Sequence, residues 1–181
     1  MGNCLTNDNK SDNKSDNKSD NKSDNKSKTQ ISSHKIKVST NYTVVYPDHK
    51  RRVNSYLYNK THNELLNIKN ISCFICGRTK EFVQLETHHF YCEKAATNGI
   101  DWIKFGQFAK NCYNIQTGEN IGIKFNWEEV EKNPDIFVDS KYNMVVLCME
   151  HHRSSNRGIH HVPFPEWILQ KNAKDGFEFL L

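Results

Sequence analysis

Cys73-Phe-Ile-Cys76 and Cys148-Met-Glu-His151 are two short segments whose thiolate and imidazole donors have the spacing of zinc knuckles. Three thiolates and one imidazole make an ordinary tetrahedral set for structural Zn²⁺, so these four residues predict a zinc that staples distant parts of the chain. Gly77, directly after Cys76, supplies the backbone freedom that a tight fold-back around a metal needs. The pair His88-His89 and His152 are left over from this set. Imidazoles titrate near neutral pH, so the three predict a second, reactive centre beside the staple.

The chain that must position these groups has 181 residues, 36% of them hydrophobic, with the polar excess concentrated in the first forty positions. That is enough for one modest domain. The formal net charge of +4 permits a polyanionic partner without requiring one. Six cysteines would suit a secreted disulfide framework, but no apolar signal segment opens the chain and four donors fall into ligand spacing. The expectation is a reducing, intracellular compartment, nucleus or cytoplasm. No run approaches the roughly 20 apolar residues that span a bilayer.

From Ser11 to Lys26 the tetrad Ser-Asp-Asn-Lys recurs with no apolar residue to offset the entropy of ordering, which predicts a disordered tail over residues 1–40. Met1-Gly2-Asn3-Cys4-Leu5-Thr6 in front of it fits the acceptor pattern for N-myristoylation of Gly2, with Cys4 placed for palmitoylation. Two acyl chains would tether the protein to a membrane, which one myristoyl group does only marginally.

Folded sequence is expected over 41–181. Tyr42, Val44, Val45 and Tyr46 form a β-type run closed by Pro47. A helix is expected from Val53 to Ile68, with Lys50-Arg51-Arg52 ahead of it either touching phosphate or forming a solvated helix start. Phe82, Val83 and Leu85 open a strand that ends in Glu86-Thr87-His88-His89. An insert follows, from Tyr91 to about Asp139. It holds a helical stretch through Ala95, Ile100, Trp102, Ile103, Phe105 and Phe108, and a short helix around Trp127 to Glu131 closed by Pro134. Tyr142 to Cys148 returns as an apolar strand, and a helix beginning at the second knuckle carries His151 and His152. Cys92 and Cys112 read as packed thiols, and His34, His49 and His62 carry no spacing argument.

The order strand, His-His, connection, Asn, strand, Cys-x-x-His, His, helix resembles the HNH endonucleases, the ββα-metal nucleases, in the subgroup braced by a structural zinc. The likeness covers roughly Ser72 to Pro163 and includes Asp139-Ser140-Lys141-Tyr142-Asn143-Met144-Val145-Val146-Leu147-Cys148-Met149-Glu150-His151-His152-Arg153. It implies an α+β fold, a zinc-stapled, treble-clef-like ββα-metal core with a helical insert. It also implies site roles. His89 would be the general base, His88 and His152 would ligate a catalytic divalent cation such as Mg²⁺, and Asn143 would hold the loop and orient the base. Arg153 and His160 or His161 would contact phosphate, with His160 a further metal ligand as the alternative. Glu86 competes with His88 for the cation, since both point to the same side of the strand.

Function on this basis is phosphodiester hydrolysis in DNA, with RNA an alternative substrate. Two other classes compete. One is a zinc-dependent nucleic-acid-binding module that kept the fold and lost the chemistry. The other is a membrane-tethered interaction protein built on the Gly2 and Cys4 acylation motif.

Overall fold

The computed structural model describes residues 33, 35–38, 43, 45–49, 53–173, 175 and 177–180. The acylation motif, the tetrad repeat, His34, Tyr42, Val44 and the cations Lys50, Arg51 and Arg52 lie outside the described residues. The architecture is mixed α and β around a small two-stranded antiparallel sheet. Among the described residues no helix is long and apolar enough to cross a membrane.

The first helix, α1, spans Tyr56–Leu66 and is shorter than the apolar pattern predicts. Ser55 accepts a hydrogen bond from the Tyr58 amide and fixes the N-terminus there, which leaves Val53 outside and 80% exposed. Among the described residues of the β-type run before it, Thr43 and Val45 to His49 carry no ladder, and Val45 is 88% exposed. Strand β1, Leu85–His89, pairs with β2, Met144–Cys148, in the register Leu85↔Cys148, Thr87↔Val146 and His89↔Met144. Beside β2, the Val146 carbonyl accepts from the Phe74 amide and the Val146 amide donates to Gln116 Oε1.

Both strands are shorter than predicted. The Phe82 and Val83 amides fold back onto the Thr79 carbonyl, so Phe82 is exposed in a turn and β1 starts at Leu85. A 3-10 turn at Lys141–Asn143 delays β2 to Met144, after which all five of its residues are buried. The helix expected at the second knuckle is present as α5, Met149–Arg153 in chain order, and α6, Phe164–Leu169, lays Trp167 into the same core with its indole N–H on the His151 carbonyl.

The insert has its own core of buried residues. A 3-10 turn at Lys94–Gly99 leads to α2, Trp102–Ala109, then α3, Trp127–Lys132, and α4, Asp135–Val138. Pro134 follows the end of α3 and itself caps α4. Phe137 sits at 0% exposure among Trp102, Phe105, Phe125 and Trp127, at ring separations of 5.2 to 5.9 Å. Cys92 and Cys112 are buried in this cluster. Burial pushes the Cys92 thiol up to about 12 and raises Cys112 as well, so both are inert packing groups.

The insert also contains a second knuckle-shaped turn that the sequence analysis missed. In the cysteine knuckle, the Cys73 amide bonds the Arg78 carbonyl, the Gly77 amide bonds the Cys73 carbonyl, and Gly77 takes φ +69°. In residues 113–120 the Asn114 amide bonds the Glu119 carbonyl, the Gly118 amide bonds the Asn114 carbonyl, and Gly118 takes φ +73°. Bridges Ser72↔Thr79 and Tyr113↔Asn120 close the two turns alike. Where the first has sulfur, the second has the Asn114 side chain. Its Oδ1 accepts from the Gln116 and Thr117 amides at 2.9 and 2.8 Å, and its Nδ2 donates to the Lys141 and Met144 carbonyls.

Candidate metal centres

Cys73 and Cys76 on the first knuckle, with Cys148 at the end of β2 and His151 on α5, form a cluster that could hold a metal ion. Cys73, Cys148 and His151 are buried and Cys76 is the most accessible. His151 turns Nδ1 to the sulfurs, 3.1 Å from Cys148 Sγ and 3.7 Å from Cys73 Sγ, and Cys76 Sγ lies 4.0 Å from Cys148 Sγ. Donors sharing one tetrahedral ion through bonds of about 2.0 to 2.3 Å stand roughly 3.3 to 3.8 Å apart. The separations of 3.1 to 4.0 Å straddle that spacing, so shifts of a few tenths of an ångström would let the set hold a single ion. Hydrogen bonding from Cys73, reinforced by His151, holds the Cys148 thiol down to about 3, which makes it a thiolate, while the same contact raises Cys73. Arg78 adds a donor to Cys76 Sγ at 3.4 Å and pairs with Glu150 at 2.8 Å.

The second cluster consists of His88, His152 and His160. Strand alternation in β1 turns Glu86 and His88 toward α5, while Thr87 and His89 turn toward α1. His152 Nε2 and His160 Nε2 are 3.1 Å apart, and the His88 ring lies 5.1 and 4.7 Å from theirs. Imidazole nitrogens that share one cation at about 2.1 Å stand roughly 3 to 3.4 Å apart. His160 is thus a member of this set. His161, the alternative to it, is exposed and not in the cluster.

Glu86 completes the arrangement from behind. Its Oε2 takes the His152 Nδ1–H at 2.7 Å, which leaves the Nε2 lone pair facing His160. Burial lowers the His152 pKa, and the nearby His160 adds to this against the pull of Glu86, so the imidazole is neutral and able to ligate at pH 7. Of the two, His88 belongs to the three-histidine cluster and Glu86 is hydrogen-bonded to His152 behind it. Arg153 is spent partly on Glu86 Oε1 at 2.5 Å and is 54% exposed at the rim. Glu86→Gln is expected to weaken divalent-cation binding at the three histidines by about 10- to 100-fold. Isothermal titration with Mn²⁺ would measure it, and an unchanged affinity would contradict this orienting role.

His89 lies on the opposite face of β1 from the three-histidine cluster. It is 3% exposed, packed under Tyr58 at 5.8 Å between ring centres, with Nε2 3.0 Å from Asp139 Oδ1. Asn143 does not touch it. The fully buried Asn143 amide instead accepts from the Tyr91 and Cys92 amides at 2.9 and 3.1 Å and donates to the Cys92 and Val138 carbonyls, both at 2.9 Å. It holds the loop, as expected, and acts on the histidine only through the backbone. Glu93 links the two faces, with Oε1 3.6 Å from His88 Nδ1 and Oε2 3.8 Å from His89 Nδ1. Sequence reasoning gave Asp139 and Glu93 no role. His62, also given none, is hydrogen-bonded to Thr87 Oγ1 at 2.9 Å and ties α1 to β1.

Comparison of the chain with protein-family models, with curated protein sequences and with solved structures gave no match.

Proposed function

We propose that the chain is a metal-dependent endonuclease of the HNH type that hydrolyses phosphodiester bonds in DNA. The observation that carries this reading is the convergence of His88, His152 and His160 on one point, with Glu86 orienting His152 and a cysteine-rich cluster bracing the same helix. The order β1, β2, α5 is what a ββα-metal core needs, and the Cys73, Cys76, Cys148, His151 set is suited to structural Zn²⁺. A divalent cation held by the three histidines would supply Lewis-acid stabilisation of charge on the phosphate and the leaving oxygen.

The chain's own groups do the rest. His89 takes the proton of the attacking water, Asn143 fixes the loop after it, and Arg153 at the rim meets a flanking phosphate. Gly2 and Cys4 belong to this reading as acylation sites, which would place the enzyme on a membrane through its N-terminal tail. The test is nicking of supercoiled plasmid by the full, zinc-loaded chain in Mg²⁺ or Mn²⁺. Conversion to open circles that EDTA stops is expected. Intact plasmid in the presence of folded protein would overturn the reading. One observation favours a second reading, a binding module without chemistry: the near-complete burial of His89. Retarded migration of DNA without cutting is its signature.

A further inference from the structure

We infer that Asp139 is the positioning residue for His89, holding the Nε2–H so that Nδ1 is the nitrogen that accepts a proton. This rests on the endonuclease reading and extends it to a residue with no role assigned so far. The pair is closed off from water, with side-chain exposures of 2% for His89 and 3% for Asp139. An ionised carboxylate only accepts, so the proton between them sits on Nε2 and the lone pair on Nδ1. Asp139 is kept ionised by its neighbours. Burial acts to raise its pKa, but hydrogen bonds from His89 and from Ser55 Oγ at 2.6 Å, with Lys94 at 3.6 Å, outweigh it and hold the carboxyl below its usual range.

The two sides of the His89 ring are not equivalent. The recess bounded by Ser55, Tyr58, His89, Lys94 and Asp139 has a volume of about 10 Å³. A site for one water needs at least about 10 to 15 Å³, so substrate has no room on the Nε2 side. Nδ1 faces Glu93, which is 34% exposed and whose other oxygen lies beside His88 of the tri-histidine cluster. The reacting water reaches His89 on this side, past a carboxylate that solvent can draw away. Across that closed contact Asp139 fixes the orientation and tautomer of the ring, as a buried carboxylate does for a base histidine in hydrolytic triads.

The same geometry gives Asn143 its purpose. One end of its amide clasps Tyr91 and Cys92, just after His89, and the other clasps the Val138 carbonyl, just before Asp139. Two segments 50 residues apart in the chain are thereby fixed with base and carboxylate in register. A purely structural alternative exists, because Asp139 Oδ2 also anchors the Ser55 cap of α1. The experiment separates the two.

The full, zinc-loaded chain, Asp139→Asn and Ser55→Ala would be compared by ¹⁵N NMR of the His89 ring and by plasmid nicking in Mn²⁺. The parent should show the proton on Nε2, and Asp139→Asn should lose that fixed tautomer. Its kcat should fall roughly 10- to 100-fold with KM changing by less than about threefold. Ser55→Ala, which removes one of the hydrogen bonds to Asp139, should melt earlier and keep the tautomer, with a loss of rate smaller than that of Asp139→Asn. A parental proton on Nδ1, parental kcat in folded Asp139→Asn, or an equal loss of rate in Ser55→Ala would each overturn the inference. If the parent does not cut at all, the endonuclease reading fails alone, and the ring spectra still decide whether Asp139 sets the tautomer.

Discussion

His89→Ala is expected to cut supercoiled plasmid about 10²- to 10⁴-fold more slowly than the parent, the usual contribution of a general base, with the zinc content of the protein unchanged. The magnitude follows from the position of the ring. It is held on one side by Asp139 at 3.0 Å and faces, on the other, the carboxylate that borders the tri-histidine cluster. On the endonuclease reading, removing it deletes the proton acceptor and leaves His88, His152 and His160, the would-be cation ligands, in place. The substitution also leaves the buried Asp139 short of one partner, which costs about 1 to 3 kcal/mol. Rates are therefore compared at a temperature where circular dichroism finds both proteins folded. Cleavage at the parental rate by folded His89→Ala would show that another group activates the water.

Cys148→Ser is expected to have the opposite signature, a collapse of structure that takes activity with it. Cys148 stands at the junction of β2 and α5, is 1% exposed, and is the thiolate of the cluster. Zinc sets of this kind contribute apparent binding energies of about 10 to 16 kcal/mol, whereas whole domains are stable by only about 5 to 15 kcal/mol. On the structural-zinc reading, losing the ion therefore exceeds what the small core around Leu65, Val145 and Trp167 can offset. Zinc quantified by atomic emission should fall below one per chain, and the thermal transition should broaden or vanish. Full zinc occupancy with an unchanged melting temperature would mean that the cysteines and His151 are not the structural site.

Donor chemistry was the part of this molecule most readable in the sequence. Cys73, Cys76, Cys148 and His151 announce themselves by spacing, and the structure gathers them into one cluster. The apolar run from Tyr142 to Cys148 located β2. Boundaries were poorer because local propensity does not know its partners. Val45 and Tyr46 have strand chemistry, yet the described residues around them form no ladder. Ser55 cut α1 short by capping it. The His89–Asp139 contact was out of reach for another reason: it joins residues 50 apart, and a lone aspartate carries no periodicity or motif to mark it. The turn at residues 113–120 escaped because its closing group is an asparagine, which spacing rules for metal ligands ignore.

That asparagine turn and the cysteine knuckle grip the same residue of β2, one through the Val146 amide and the other through its carbonyl. Sulfur chemistry answers to chelators, oxidants and acid, while the amide hydrogen bonds of Asn114 answer to none of them. The sheet accordingly has one flank that the cellular environment can loosen and one that it cannot. Metal depletion or thiol oxidation would free the strand from the cysteine side first, with the insert still gripping the other.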